Sequence, residues 1–272
     1  MSDWMEVVAT RYRNPVSLNE GNSVFRVEGF ADSNRHLPAV VKYSSSEQSG
    51  KSAVEYSKRC YARGIAPRIY YVSEIHEGIE LRMEVADTTL ATAFPKTIDE
   101  KLDIADFLAK AGIVLTEEGI SHSDIKPSNI FLRKGKILLG DYDSALSLKL
   151  YKQFLKETNL FLGTHGYIPP EQYYPNRFRL TPLNQIPITH DIFSTGVVLF
   201  YITSGIEPKD IVRYVQEWNN LMTTGQYTRL FKERLPPPRK CPPHFPELID
   251  ACLAINPRER PTFREMEQIL RS

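Results

Sequence analysis

Four side chains of different chemistry stand at fixed spacing in SHSDIKPSNI, residues 121–130: His122, Asp124, Lys126 and Asn129. A carboxylate, an amine and an amide within six residues, on a stretch that Pro127 interrupts, make a poor packing element. They make a good charge-handling one. Each residue type is a few per cent of average usage, so a coincidence at four positions is rare. Twelve positions after Asn129 a second acidic cluster follows, Asp141 and Asp143 in GDYDSA, and GTHGYIPPE lies further on.

The elements that must hold these groups change character along the chain. NSVFRVEGF and LPAVVKYS are valine-rich runs separated by the turn-like ADSNRH, and RIYYVSEIHEGIELRMEV reads as a hairpin about HEG. Between them, KSAVEYSKRCYARG has helical spacing and stops at Gly64, with Pro67 close behind. From about residue 98 the pattern turns helical. Thr97 and Glu100 have the spacing of a capping box, and Leu102, Ile104, Ala105, Leu108 and Ala109 form one apolar face. SNIFLRKGKILLGDYD returns to short strands about Gly135, and HDIFSTGVVLFYITSG is apolar nearly all round, as a buried helix would be. From about 207 further helices are expected, interrupted by RLPPPRKCPPHFP. There is no internal repeat. The expectation is an α+β chain with a small β-rich lobe and a larger, mainly helical one.

Composition narrows the class. With 42% hydrophobic residues in 272, the chain can bury a sizeable core. A formal net charge of +1 gives no reason to expect nucleic acid as a partner, and RKCPPH reads as solvated surface. Cys60, Cys241 and Cys252 show no CxxC spacing, so neither a disulfide framework nor a zinc site is indicated. The N-terminus has no apolar signal region and no run approaches a membrane span, so no membrane partner is expected and a cytoplasmic protein is the default.

The loop H-x-D-x-K-x-x-N at 122–129 resembles the catalytic loop of eukaryotic-type serine/threonine protein kinases. The resemblance extends from about residue 15 to the end, with the lobe boundary at a hinge of about 84–87. It implies a bilobal kinase catalytic domain that transfers the γ-phosphoryl group of Mg·ATP to serine or threonine hydroxyls of protein substrates. By resemblance, Asp124 accepts the hydroxyl proton, Lys126 steadies charge on the moving phosphoryl group, and Asn129 and Asp141 hold Mg2+. Tyr142 stands where the family has its packing phenylalanine. Lys42, ending the strand AVVK, matches V-A-I-K and would hold the α- and β-phosphates, paired with Glu55 thirteen residues on. Gly21 and Val27 would line the nucleotide, with Met83, Glu84 and Val85 at the gatekeeper and hinge. Thr164 is the position that bonds the catalytic aspartate and lysine. Glu171 of the P-E pair would meet Arg260, a costly pair to break and so a scaffold, and Asp191 would brace the backbone of the catalytic loop.

Several positions depart from the family. Ser123 replaces the arginine that anchors an activation-loop phosphate, so activity is expected not to depend on such a phosphate, whether on Thr158 or Tyr151. In an ungapped reading, Asn19 and Val24 take glycine positions of the phosphate loop, with a one- or two-residue deletion as an equal alternative. Losing those glycines should weaken or reshape ATP binding. Asp143 replaces a glycine. It is read as a substitution tolerated in left-handed backbone, with metal attraction or a raised carboxylate pKa as the alternative. The stretch YPNRFRLTPLNQIP reads as a surface insertion. These departures leave an alternative from another class, an ATP-binding or inactive pseudokinase acting as a scaffold. A small-molecule kinase of the aminoglycoside type ranks third, because GTHGYIPPE belongs to enzymes that present a peptide. Oligomeric state, the activating signal and the physiological substrate are not expressed in the sequence.

Overall fold

The computed structural model describes residues 4–19, 23–32, 37–44, 47–75, 78–147, 150, 162–173, 186–208 and 241–272. The chain divides into two compact units, residues 1–87 with 132–143, and residues 88–131 with 144–272.

The first unit is built on a five-stranded antiparallel sheet. Its strands are β2 (Val16–Ser17), β3 (Val24–Val27), β5 (Ala39–Ser44), β6 (Ile69–Ile75) and β7 (Gly78–Met83), in the order β2-β3-β5-β7-β6. A separate ribbon pairs β1 (Tyr12–Arg13) with β4 (Gly29–Phe30). Period-two alternation gives the sheet two different faces. Ala39, Val41 and Tyr43 of β5 join Phe25 and Val27 of β3 in a buried cluster with Val8 and Tyr12, so helix α1 (Trp4–Arg11) covers that face. The opposite face carries Ile79 and Leu81, packed on Val54 of helix α2 (Glu47–Ala62). Gly50 on α2 lets helix and sheet approach, since a Cβ there would stand 3.1 Å from Ile79.

A buried carboxylate ties α1 to its face. Glu80 accepts hydrogen bonds from Tyr12 Oη (2.6 Å), Tyr43 Oη (2.9 Å) and Arg11 Nη1 (2.9 Å). Burial, followed by its bond to Glu80, pushes the Tyr12 hydroxyl well above the usual phenol range.

The second unit is mainly helical. After β8 (Thr88–Thr89), helix α3 (Ile98–Glu118) begins at the expected capping box: Thr97 accepts from Glu100 N, and Glu100 accepts from Thr97 N. It ends at Gly119, left-handed at φ 66°. Of the expected apolar face, Ile104, Ala105, Leu108 and Ala109 are buried, while Leu102 is only partly covered. Strand β9 (Ile120–Ser121) leads into the catalytic-loop stretch. The chain crosses to the first unit within β10 (Ile130–Arg133), turns through Lys134 and Gly135 into β11 (Lys136–Leu139) of that unit, and after its return β12 (Leu146–Ser147) pairs with β9. Helices α4 (Pro170–Tyr173), α5 (Ile186–Ser204), α6 (Phe245–Cys252) and α7 (Phe263–Arg271) follow.

His190 to Thr203 of α5 are buried throughout, as an all-round apolar helix must be. Phe263 of α7 lies against Gly112 of α3, where a Cβ would stand 2.2 Å from the ring. No described helix is long and apolar enough to cross a membrane. The three cysteines are buried, and none is in a disulfide.

Candidate active site

In the second unit, the loop from His122 to Asn129 is fixed from below. Asp191 Oδ2 accepts from the backbone N–H of His122 (2.8 Å) and Oδ1 from that of Ser123 (2.9 Å). Burial pushes the Asp191 carboxyl up to about 7, against the opposing pull of those backbone bonds. His122 is buried and its Nδ1 accepts from the Asp124 backbone N–H at 3.3 Å. Ser123 stands at φ 62° and is fully buried, its hydroxyl 3.0 Å from that of Ser121. No described cationic side chain occupies that position.

This frame aims a carboxylate. Thr164 donates to Asp124 Oδ1 at 2.7 Å and itself accepts from Lys126 Nζ at 2.7 Å. On the other oxygen, Lys126 Nζ lies 2.8 Å from Oδ2 and Asn129 Nδ2 donates at 3.1 Å. Asn129 Nδ2 also donates to the Asp124 carbonyl at 2.9 Å. The structure brings Asp124, Lys126, Asn129 and Thr164 together. Gly163, to which sequence reasoning gave no role, permits the contact. At φ 100° it lies under the Ser123 carbonyl, and a Cβ there would stand 2.4 Å from that oxygen.

Glu171 and Arg260 also meet. Arg260 Nη1 and Nη2 donate to the two carboxylate oxygens at 2.6 and 2.7 Å, both side chains are buried, and the guanidinium lies 5.0 Å from the Phe193 ring centre. Arg260 further donates to the carbonyls of Ala254 and Thr189, so little of its donor capacity is wasted.

In the first unit, register fixes which residues share a face with Lys42. Val24 pairs with Lys42 across β3 and β5, and Leu81 across β5 and β7, so all three project from the α2 side. Met83 packs against the same cluster. Two expectations are corrected here. Val27 pairs with Ala39 and is buried on the opposite, α1 face, so Val24 and not Val27 stands on the face of Lys42. Glu55 does not pair with Lys42. Among the described side chains, the sheet-facing side of α2 is Gly50, Ala53, Val54 and Ser57, at helical i, i+3, i+4, i+7 spacing, and none of these carries a carboxylate. Glu55 falls one position round the helix, 66% exposed, with Arg59 as its partner at 3.5 Å.

Lys42 instead meets two other acids. Its ammonium bonds Asp141 Oδ1 and lies 2.8 Å from Asp143 Oδ2. Burial lowers the ammonium's pKa, but the two carboxylates outweigh it and leave Lys42 above the usual lysine range. A third expectation is corrected at Asp143. The left-handed residue is Asp141, at φ 64°, while Asp143 lies in a short 3-10 turn (Tyr142–Ser144) that buries Tyr142.

Sequence reasoning also missed Arg133, which secures the hinge. Its Nε donates to the Val85 carbonyl at 3.0 Å and its Nη1 lies 2.8 Å from Glu84. No motif marks it, because the contact depends on how β10 returns to the hinge. Asn19, which takes a glycine position of the phosphate loop in the ungapped reading, accepts from the backbone N–H groups of Ser23 (3.0 Å) and Val24 (3.1 Å). Gly21, Thr158, Tyr151, most of the 174–187 stretch and the 209–240 segment lie outside the described residues.

A catalytic-loop carboxylate held by lysine, threonine and asparagine, a strand lysine on a following D-Y-D, and a buried Glu–Arg scaffold define a class of protein. The model of that class, the protein kinase domain, matches residues 39–271, and the chain belongs to this family. The match begins at β5, leaving outside it the phosphate-loop stretch, where the motif departs most. Protein kinase domains use ATP.

Among similar proteins are the serine/threonine-protein kinase PknD of Chlamydia caviae, 26% identical over 71% of this chain and 22% of that protein. A probable LIM domain-containing serine/threonine-protein kinase of Dictyostelium discoideum is 27% identical over 73% of this chain and 27% of its own length. A Wee1-like protein kinase of Oryza sativa subsp. japonica is 26% identical over 68% and 31%. The chain spans less than a third of each of these relatives.

Proposed function

We propose that the protein is a serine/threonine protein kinase that moves the γ-phosphoryl group of Mg·ATP to a protein hydroxyl. The observation that carries this reading is the constraint on Asp124, whose two oxygens are fixed by Thr164, Lys126 and Asn129. A carboxylate so held is placed to accept the acceptor's hydroxyl proton. Lys126, 2.8 Å away, offers a positive charge to the phosphoryl oxygens. Lys42 holds the α- and β-phosphates, Met83 and Glu84 stand at the gatekeeper and hinge, and the backbone near Val85 meets the adenine.

Each unit offers an oxygen donor suited to a hard cation. In the second, Asn129 turns its Nδ2 inward to Asp124, which leaves Oδ1 with no hydrogen-bond donor among the described residues. In the first, Asp141 carries a carboxylate that is 36% exposed. Among the described residues no cluster of three acids, histidines or cysteines could hold a metal alone. Mg2+ takes one or two protein oxygens and completes its shell with phosphate and water. Such an ion neutralises charge on the β- and γ-phosphates.

Protein acceptors, with serine and threonine preferred, are supported by Lys126, by Thr164 and by the relatives' names. The buried, hydroxyl-bonded Ser123 supports activity that does not wait on an activation-segment phosphate. The test is transfer of labelled phosphate from Mg·ATP to the protein itself and to generic acceptors. Label on serine and threonine that disappears in both Asp124→Asn and Lys42→Ala is the expected result. Absence of label, with Mg·ATP still raising the melting temperature, would instead establish an ATP-binding scaffold.

A further inference from the structure

We infer that Asp143 is the positioning residue for Lys42, taking the part that a helix carboxylate plays elsewhere in this family. The inference rests on the reading of Lys42 as the nucleotide-phosphate ligand.

Three observations carry it. Among the described side chains, the face of α2 turned to the sheet is Gly50, Ala53, Val54 and Ser57, none of them an acid. Glu55, the helix acid thirteen residues on from Lys42, is exposed and bonded to Arg59. Asp143 Oδ2, in turn, lies 2.8 Å from Lys42 Nζ, and Asp141 is the ammonium's other acidic partner among the described residues.

The short turn Tyr142–Ser144 makes this possible. Asp141 is left-handed and Asp143 follows within the turn, so two carboxylates two residues apart both reach one amine. Glycine at 143 would leave Lys42 with Asp141 alone. The ammonium would then lose one of two directions of restraint whenever Asp141 turned to a cation. Asp143 therefore keeps the lysine in place while Asp141 is free to ligate. Asp143, in the glycine's place, thus does for Lys42 what Glu55, turned to Arg59, does not.

Two measurements test this. The first is a double-mutant cycle on the nucleotide-free protein, followed by melting temperature, with Lys42→Met (or Lys42→Gln if that variant does not fold) crossed with Asp143→Asn and, separately, with Glu55→Gln. The loss in the Lys42/Asp143 double variant should fall short of the sum of the single losses, and the Lys42/Glu55 losses should add. Additive losses for Lys42/Asp143, or coupling to Glu55 instead, would overturn the inference. The cycle needs no nucleotide, so it stands apart from the kinase reading, which fails only if the wild type transfers no phosphate.

The second is steady-state kinetics. Asp143→Asn and Asp143→Gly should raise KM for ATP about five- to tenfold with a smaller change in kcat, the size suited to a half-exposed charge pair. Asp143→Glu should recover most of the loss. Wild-type KM in Asp143→Gly, or a weakened Mg2+ requirement in place of the KM effect, would overturn the inference and make Asp143 a tolerated substitution or a metal ligand.

Discussion

Asp124 has a pair of oxygens and three donors directed at them, and one residue without a side chain makes that possible. Gly163 carries no functional group, yet only glycine fits its place: φ is 100°, and a Cβ would stand 2.4 Å from the Ser123 carbonyl. Any substitution must move Thr164, the next residue, and with it the hydroxyl on Asp124 Oδ1. Gly163→Ala is therefore expected to lower kcat at least tenfold while the melting temperature moves little, since strain of this kind costs on the order of 1–3 kcal/mol and is localised. Equal kcat in the variant would show that the Thr164 contact is dispensable. The motif GTHGYIPPE contains Gly163 in plain sight, but the reason for it lies in a chain segment 40 residues away and cannot be read from spacing.

At the scale of elements, register and helical phase decided what local pattern could not. The capping box at Thr97, the αL stop at Gly119 and the all-apolar α5 are local features, and the sequence displays them. Glu55 and Val27 were misassigned by phase. On a helix, one position turns a side chain about 100°; on a strand it changes the face outright. Val54 beside Glu55, and Val24 beside the eroded phosphate loop, take the facing positions, and neither a strand valine nor a small-residue helix face announces a site.

Gly112 gives a test at this scale. Alanine there should gain about 1 kcal/mol of helix propensity, but its Cβ would meet the Phe263 ring at 2.2 Å, and overpacking costs typically 1–3 kcal/mol. The contact wins, and Gly112→Ala is expected to lower the chemical-denaturation midpoint. A raised midpoint would mean that α3 and α7 part without cost.

At the scale of the whole chain, the buried titratable groups of the second unit set its response to pH. Burial, then Arg260 and His122, push His190 down to about 3 from 6.5. A group depressed in this way loses stability as pH falls from about 6.5 toward 3, because the unfolded chain takes the proton first. Asp191 runs the other way. Raised to about 7 from 3.8, it gains the folded state stability as pH falls through that interval. Between about 4 and 6.5 the two oppose each other. In His190→Gln only the Asp191 contribution survives, so the variant's stability relative to wild type should improve steadily as pH falls from 6.5 to 4. A difference that does not vary with pH would show that His190 is not held neutral by its burial.

The long-range scaffold was more legible than the first unit's charge network. Glu171 and Arg260 each sit in a motif, whereas Asp143, Arg133 and Asn19 act through contacts that exist only once strands, hinge and turn are in register.

The central claim is that Asp124 is the base of a phosphoryl transfer, and kcat of Asp124→Asn at saturating Mg·ATP tests it most directly, read beside the rise in melting temperature that the nucleotide produces. A base of this kind contributes on the order of 10²–10⁴-fold. A fall of that size is expected in Asp124→Asn, with the nucleotide-induced rise intact. A variant that transfers phosphate as fast as the wild type would contradict it.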